Sequence, residues 1–227
     1  MISYKMVISN MSLSFSDLHL ERKYTTEGEL SPSKEFYNPV LSRAILYQRV
    51  AGYFSSSSFA FIGDGLYSFI QNNGKMQFIF NVQLLEEDYK QIELGLSHPE
   101  KIIESKFLSD LSTIEDECVK NHAKLLGWLL AHNVLDVKIG YLEPSITGQT
   151  PILHQKSGVF VDQNGNTIAF TGSNNESAMG WEYNSESFYV FCDWKSGQND
   201  YVTEIKSEFD LLWENKQKKT KVIPFPE

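Results

Sequence analysis

The alternation of apolar and polar positions divides the chain into strands and helices. Runs rich in aromatic and β-branched residues predict strands, whereas apolar residues three or four positions apart predict helices. These patterns predict strands at 49–55, 76–82, 137–141, 152–161, 166–171 and 186–193. They predict helices at 39–48, 59–71, 87–96, 103–133 with a break near 121, and 202–214. Because strands alternate with helices, we expect an α/β fold, with a mixed β-sheet flanked by helices on both faces.

The length of 227 residues allows one large α/β domain with a sizeable core. We expect a single domain over 1–227, with a weakly patterned N-terminal extension of strand or coil (1–36) and a C-terminal tail (215–227) that would link it to a further module. Hydrophobic residues at 41% and charged residues at 22% are ordinary for a globular protein. The sequence has no run of about 20 apolar residues and no leader pattern. We therefore expect a cytoplasmic protein with no membrane partner.

The net charge of −9 argues against tight DNA binding by this chain alone, because nucleic-acid binders neutralise phosphates with basic patches. Acidic residues cluster at 86–88 and 115–117, on predicted outer helices. The remaining local basic groups are Lys34, Arg43, Arg49, Lys216, Lys218, Lys219 and Lys221. We interpret the lysines of the tail as a solvated helix end rather than a DNA clamp.

The two cysteines, Cys118 and Cys192, lie far apart in sequence among apolar or acidic neighbours. Buried free thiols are expected rather than a disulfide. The spacing of cysteine and histidine does not match a metal site, and there is no phosphate-binding loop of the Gly-Lys-Ser/Thr type. We expect neither a metal nor a cofactor.

A set of polar side chains suited to phosphodiester cleavage lies near the C-terminal end. Cleavage needs a nucleophile, positive charge at the non-bridging oxygens and a proton donor. His154 could be the nucleophile and Lys156 the positive charge, and on a strand they would share a face, with backbones roughly 6.5 to 7 Å apart. Ser173 and Asn175 could add hydrogen bonds to the phosphate. Glu186 could accept from the far ring nitrogen of His154 and fix its tautomer.

Three further residues are candidates for a substrate loop. Gly172 would let the backbone approach a ligand closely, and Asn174 follows it in the same turn-like segment. Trp181, with Tyr183, lies between this segment and Glu186, where either packing or substrate contact is plausible. Other aromatic residues within strand or helix patterns, namely Trp128, Phe160, Phe170 and Phe191, are expected in the core.

The order His-x-Lys, Gly-Ser-x-Asn and a downstream Glu resembles the signature of the phospholipase D superfamily. The stretch from Leu153 to Phe191 is similar to the phospholipase D-like nuclease domains found at the N-terminus of bacterial DEAD/DEAH-box helicases of DNA repair, restriction or phage defence. Tyr37-Asn38-Pro39, 49–55 and 84–88 also resemble that group, so the resemblance covers about 37–226. It implies a metal-independent phosphodiesterase that cleaves DNA through a phosphohistidine intermediate.

The order His-x-Lys followed by Gly-Ser-x-Asn occurs once in the chain, starting at His154, whereas two such motifs form one site in that superfamily. The resemblance therefore implies a homodimer in which His154 and Lys156 of both subunits share one site across a two-fold axis. One His154 would attack phosphorus and the other would protonate the leaving oxygen. A helicase module, in the same or a partner chain, could supply affinity for DNA.

Asp162 departs from the superfamily pattern, since five residues rather than four separate it from Lys156. A shift of one residue would turn its carboxylate to the other face of a regular strand. It also opens Asp162-Gln163-Asn164-Gly165, which has the composition of a hairpin turn. We interpret Asp162 first as a turn residue, and Glu186 as the carboxylate partner of His154.

Three functions are compatible with these residues. The first is the DNA phosphodiesterase, in a restriction, defence or repair system. The second is a hydrolase of lipids or small phosphodiesters, which the absence of a basic amphipathic helix disfavours. The third is a non-catalytic module that dimerises and positions a partner acting on DNA.

Overall fold

The computed structural model describes residues 14–29, 31–81, 83–105, 107–108, 111–143 and 151–225. Its strands are β1 (Lys23–Thr25), β2 (Ala44–Ala51), β3 (Lys75–Phe80), β4 (Leu135–Leu142), β5 (Ser157–Asp162), β6 (Thr167–Gly172), β7 (Ser187–Cys192) and β8 (Thr220–Pro224). They form one sheet in the order β1-β7-β6-β5-β2-β3-β4-β8. The β2–β3 and β3–β4 pairs are parallel, and the other neighbours are antiparallel. The predicted α/β class with a mixed sheet is confirmed.

Helices connect the strands. They are α1 (Asn38–Leu41), α2 (Gly63–Gln71), α3 (Glu86–Ser97), α4 (Pro99–Glu104), α5 (Ile114–Lys120), α6 (His122–Ala131) and α7 (Asn199–Trp213). Short 3-10 turns lie at Phe15–Asp17, Ser56–Phe61 and Leu111–Thr113, and π-helical turns at Ser33–Tyr37 and Met179–Tyr183. Within the part of the chain that the structure describes, no helix combines the length and the apolar character needed to span a bilayer.

The sheet is covered on both faces, as predicted. Strand β3 shows this directly, because Met76, Phe78 and Phe80 enter the large core under α1–α6. Ile79 points the other way, into a cluster with Phe209 of α7. Burial on both faces is typical of parallel strands. Further along the sheet, Val202 of α7 covers two residues, Val159 and Ala169.

The helix predicted at 39–48 is wrong over its second half. Helix α1 ends at Leu41, and Ala44–Ala51 forms β2, which pairs with β3 on one side and β5 on the other. A short apolar run does not distinguish a helix from a central strand, and pairing with two neighbours decides the outcome. Consequently the strand predicted at 49–55 already ends at residue 51.

Two edge strands lie in segments predicted as an extension and a tail. Strand β1 pairs with β7, and β8 pairs with β4, with Ile223 opposite Ile139. Residues 220–224 therefore belong to the sheet rather than to a solvated helix end. Cys118 and Cys192 are buried free thiols, as expected; burial raises the pKa of Cys118 to about 12 and that of Cys192 to about 11.

Candidate active site

The ends of four neighbouring strands lie side by side along one edge of the sheet. This edge is formed by strand ends, not by an outer strand. Strands β2 and β6 end at this edge, whereas β5 and β7 begin there, since Val50 pairs with Ser157, Ser157 with Thr171, and Gly172 with Phe188. The segments that carry His154, Ser173 and Glu186 adjoin these ends. The structure thus brings the segments of the sequence-predicted site to one edge, beyond the carboxyl end of β2, where ligands commonly bind in sheets with parallel strands.

The His-x-Lys segment lies just before β5, which starts at Ser157 and not at 152 as predicted. Leu153 anchors it, with 2% exposure, in the cluster under α7. Gln155 Nε2 donates to Glu208 Oε1 of α7 at 2.7 Å. His154 is exposed between these anchors, so a ligand at the edge of the sheet can reach its ring.

Lys156 is buried to 7% exposure, and its Nζ donates to the carbonyl oxygen of His154 at 2.8 Å. Burial lowers the pKa of Lys156, the Arg49 guanidinium lowers it further, and the Glu186 carboxylate opposes both. Among the ion pairs of the described residues, none includes Lys156. Its ammonium is therefore a largely desolvated positive charge that can bind an anion.

Gly52 packs directly against this segment. A Cβ added at Gly52 would lie 3.1 Å from Lys156 Nζ and 3.3 Å from His154 Cα. These distances are shorter than ordinary van der Waals contacts, so a larger residue would displace the His-x-Lys segment. The sequence singled out the surrounding stretch by resemblance, but did not assign this contact.

The Gly-Ser-Asn-Asn segment places two polar side chains beside β7 and the loop after β2. Asn175 Oδ1 accepts a hydrogen bond from the Tyr53 backbone amide at 3.0 Å, which leaves its amide nitrogen to donate to a ligand. Ser173 is exposed, and its Oγ accepts from the Ser187 amide at 3.2 Å. Both side chains remain candidates for contact with phosphate.

Three substrate-loop candidates have structural roles instead. A Cβ at Gly172 would lie 2.3 Å from the Ser187 carbonyl oxygen, so this glycine permits close strand packing rather than approach of a ligand. Asn174 is 1% exposed and donates to the Tyr37 hydroxyl at 2.6 Å. Trp181 is fully buried, with its ring stacked on Tyr37 at 3.9 Å. These contacts turn the latter two side chains away from solvent.

Glu186 is half-buried at the start of β7. Thr26 fixes its backbone, because the Glu186 amide donates to Thr26 Oγ1 at 2.9 Å and the Thr26 amide donates to the Glu186 carbonyl oxygen at 3.1 Å. Its carboxylate is close enough to Lys156 to raise the pKa of that ammonium. Among the hydrogen bonds of the described residues, none joins Glu186 to the ring of His154. The N-terminal extension thus positions this carboxylate, which the sequence did not indicate.

Asp162 lies at the far end of β5, roughly 20 Å from Lys156 along the strand. It is 1% exposed, and its carboxylate accepts hydrogen bonds from four backbone or side-chain partners: the Phe15 amide, the Asn164 amide, Asn166 and the Ser14 hydroxyl. These contacts support its interpretation as a turn residue. It also ties the hairpin turn to the first 3-10 turn.

Sequence reasoning missed a buried ion pair below the site. Arg49 was counted among the local basic groups, yet it is 0% exposed and its Nε lies 2.9 Å from Glu176 Oε2. It therefore offers no charge to solvent. A charged residue within the apolar run of β2 was the one signal of this role, because buried arginine is rare unless it is paired.

This chain is similar in fold to several proteins of known structure. No family model matches the chain, and no curated protein matches it. Among solved structures, NucT from Helicobacter pylori aligns with a TM-score of 0.52 at 15% identity, covering 89% of this chain and 97% of that one. Nuc from Salmonella typhimurium, described as a phospholipase D family member, aligns at 0.45 and 13% identity, covering 90% and 97%. Polyphosphate kinase from Porphyromonas gingivalis aligns at 0.47 and 10% identity, covering 91% and 24%. The NucT alignment shows that this chain has the same α/β fold, over nearly the full length of both chains.

Proposed function

We propose that this protein is a phosphodiesterase that cleaves DNA without a metal ion, through a phosphohistidine intermediate, in a restriction, defence or repair system. One observation carries the proposal. The buried ammonium of Lys156 lies against the His154 backbone, at the strand edge that also holds Asn175. A buried lysine that forms no ion pair within 4.0 Å among the described residues, beside an exposed imidazole, suits an anionic substrate that undergoes nucleophilic attack.

The residues divide the chemistry as follows. A ring nitrogen of His154 attacks phosphorus, forming a P–N bond as the bond from phosphorus to the leaving oxygen breaks. Lys156 stabilises the charge on the non-bridging oxygens, and Asn175 Nδ2 and Ser173 donate hydrogen bonds to them. Glu186 orients the imidazole once substrate draws the ring into the site. Water then cleaves the P–N bond and regenerates His154.

A second imidazole is needed to protonate the leaving oxygen and later to activate water. One His-x-Lys of this chain is followed by Gly-Ser-x-Asn, whereas the other, His122-Ala123-Lys124, lies at the start of α6. We therefore propose that a second copy supplies the other His154 across a two-fold axis. The exposed position of His154 at the edge of the sheet is compatible with such sharing. A helicase module would supply the affinity for DNA that a chain of net charge −9 lacks.

The test is cleavage of single- and double-stranded DNA by purified protein in EDTA, beside His154→Ala. Cleavage that survives EDTA and disappears in the variant supports the proposal. Alkaline quenching after a short reaction with labelled substrate should also trap labelled phosphohistidine, whose P–N bond is stable in alkali and hydrolyses in acid. A folded dimer without cleavage would instead support the non-catalytic module. Turnover of phosphatidylcholine alone would support a lipid hydrolase.

A further inference from the structure

A charged network lies directly beneath the candidate site. Arg49 Nε and Glu176 Oε2 are 2.9 Å apart, and their side chains are 0% and 1% exposed. Tyr47 donates its hydroxyl proton to the same carboxylate oxygen at 3.0 Å. On the other side, Arg49 Nη2 donates to the Asn174 carbonyl oxygen at 2.6 Å. One guanidinium therefore holds both the side chain of residue 176 and the backbone of residue 174.

A buried ion pair of this kind adds little to the stability of a fold. The desolvation penalty of a buried ion pair often exceeds its Coulombic attraction, and apolar replacements of similar shape are often as stable. Two atoms of the pair, Arg49 Nη1 and Glu176 Oε1, are buried without a hydrogen-bond partner in the described part of the chain. Burial raises the pKa of Glu176, although the guanidinium opposes this shift. Because desolvation and the two unpaired atoms offset the attraction within the pair, we looked for a role of the pair other than stabilising the core.

Backbone hydrogen bonds lead from the pair to a phosphate-binding candidate. The Ser55 amide donates to the Glu176 carbonyl at 2.9 Å, and the Glu176 amide donates to the Tyr53 carbonyl at 3.3 Å. The Tyr53 amide then donates to Asn175 Oδ1. The position of residue 176 therefore sets the separation of the two chain segments between which the Asn175 carboxamide is held.

The same pair is close to Lys156. Arg49 lies opposite Gly158 in the β2–β5 register, two residues after the lysine. The charge of Arg49 lowers the pKa of Lys156, second to burial. The guanidinium also stacks over the Phe170 ring, 5.0 Å from its centroid, which fixes it on the core side of the strand. It can influence substrate through its neighbours rather than by contact.

We propose that Arg49 and Glu176 form a positioning pair, which orients the Asn175 carboxamide and the Lys156 ammonium toward one phosphate without touching the substrate. This role rests on the function proposed above, since it concerns the same site. It assigns to the core a task that none of the predicted site residues performs: fixing the relative position of the segments after β2 and after β6.

The test replaces the pair by apolar residues, Arg49→Met with Glu176→Leu, so that no unpaired charge is left in the core. Hydrogen exchange of the Tyr53 amide is measured together with thermal unfolding. We expect the variant to fold with a lower melting temperature, because the Tyr47 hydroxyl and the Asn174 carbonyl lose their partners, and Tyr53 exchange faster by about tenfold or more. In cleavage assays kcat should fall about a hundredfold, as expected for a misplaced reacting group, with a smaller change in KM. Lys138→Met, which removes a half-buried cation of β4 that contacts Trp213 of α7, is the control.

Arg49→Lys provides a second variant, because lysine cannot reproduce the fork that binds both Glu176 and the Asn174 carbonyl. It should give intermediate exchange and activity. Unchanged Tyr53 protection and unchanged turnover in the folded double variant would overturn the positioning role. If the wild type cleaves no DNA, faster Tyr53 exchange together with loss of the amide shift induced by inorganic phosphate still supports positioning. That result would assign the failure to the proposed function alone.

Discussion

The backbone amide of Tyr53 donates a hydrogen bond to Asn175 Oδ1 across 3.0 Å, joining residues 122 positions apart in sequence. This contact decides which end of the carboxamide is occupied. The oxygen is engaged by the protein, so the nitrogen is the group that a phosphate can use. Asn175 is therefore an oriented donor. The side-chain amide of its neighbour Asn174 instead lies in the core, where it donates to the Tyr37 hydroxyl.

Replacing Asn175 by Asp tests this orientation. The carboxylate can still accept from the Tyr53 amide, but it presents a negative oxygen where the wild type presents a donor. We expect kcat/KM for DNA cleavage to fall by about a hundredfold or more, as when one donor to a developing oxyanion is removed. Thermal unfolding should change little. Asn199→Asp makes the same chemical change at an exposed first turn of α7 and should leave both measurements unchanged. Equal losses in the two variants would contradict the assignment.

Replacing Gly52 by Ala should displace the His-x-Lys segment. The new Cβ would lie 3.1 Å from Lys156 Nζ and 3.2 Å from the Leu153 carbonyl oxygen, so the segment must move by a few tenths of an ångström. We expect kcat to fall at least about tenfold, because small misplacements of reacting groups slow catalysis strongly.

The matched control is Gly63→Ala, whose Cβ would lie 3.0 Å from Glu115 Cα, on a helix remote from the site. It produces similar crowding and should leave turnover unchanged. Steady-state kinetics and thermal unfolding of the two variants separate displacement of the site from a general loss of stability. Full activity in Gly52→Ala would argue against a requirement for this spacing.

The fold class and most elements followed from the sequence because their signals are local. Strand β3 and helices α3 and α7 were predicted within a few residues, since each has a clear apolar period. Strand β2 was predicted poorly at its start, because Ala44–Gln48 fits either a helix or a strand until its two neighbours are known. Edge strands β1 and β8 are short, so their pairing depends on partners distant in sequence.

The segments of the candidate site were likewise identified from residue types and their order. The burial and the contacts of each side chain were not predicted. Nothing in the motif distinguishes Asn175, which faces the loop after β2, from Asn174, which faces the core. Trp181 is adjacent to the site in sequence and buried in space. Glu176 was overlooked because its partner Arg49 lies in β2, 127 positions away in sequence, so the pair exists only in the folded chain.

The pH dependence of phosphate binding should reveal the charge of Lys156, because the alkaline limb of cleavage also depends on the imidazole that protonates the leaving oxygen. Its pKa lies below the ordinary 10.5 because of burial and then Arg49, whereas Glu186 raises it. Binding of inorganic phosphate that needs the ammonium is lost as pH rises through the pKa in the folded protein, so the alkaline limb of binding should lie below pH 10.5. Glu186→Gln removes the supporting charge and should move this limb to lower pH, besides slowing the reaction. The double variant without Arg49 should move it to higher pH.

The charge of Lys156 lowers the stability of the folded protein, whereas the charge of a lysine in an ordinary salt bridge raises it. A lowered lysine pKa means that folding disfavours the charged form, so the penalty applies below the folded pKa and disappears as pH rises to 10.5. Lys156→Met should therefore preserve or increase the melting temperature at neutral pH while abolishing cleavage. A large destabilisation by this variant would show that the lysine serves mainly the fold.

Asp162→Ala should lower the stability of the protein and leave its catalytic rate nearly unchanged. The substitution leaves the buried Phe15 amide without its acceptor and removes one acceptor from the exposed Asn164 and the half-buried Asn166. A buried unsatisfied donor costs about 1 to 3 kcal/mol. We expect a loss of about 1 to 3 kcal/mol in the free energy of unfolding, measured by urea denaturation. At a temperature where the variant remains folded, kcat should stay within about twofold of the wild type. A much larger loss of kcat in the folded variant would assign the carboxylate to the site after all.

Mixing subunits tests whether two copies of His154 act together. If one imidazole attacks phosphorus while the other protonates the leaving oxygen, a dimer with one His154→Ala subunit lacks one of these functions. After exchange between equal amounts of wild-type and variant subunits, about one quarter of the dimers contain two wild-type copies. Activity per total protein should then approach a quarter of the wild-type value, rather than the half expected for independent sites. Sedimentation velocity must show that both proteins are dimers and that exchange is complete. A linear decline with the fraction of variant would mean that each subunit carries a complete site, and the proton donor would then have to be sought within one chain.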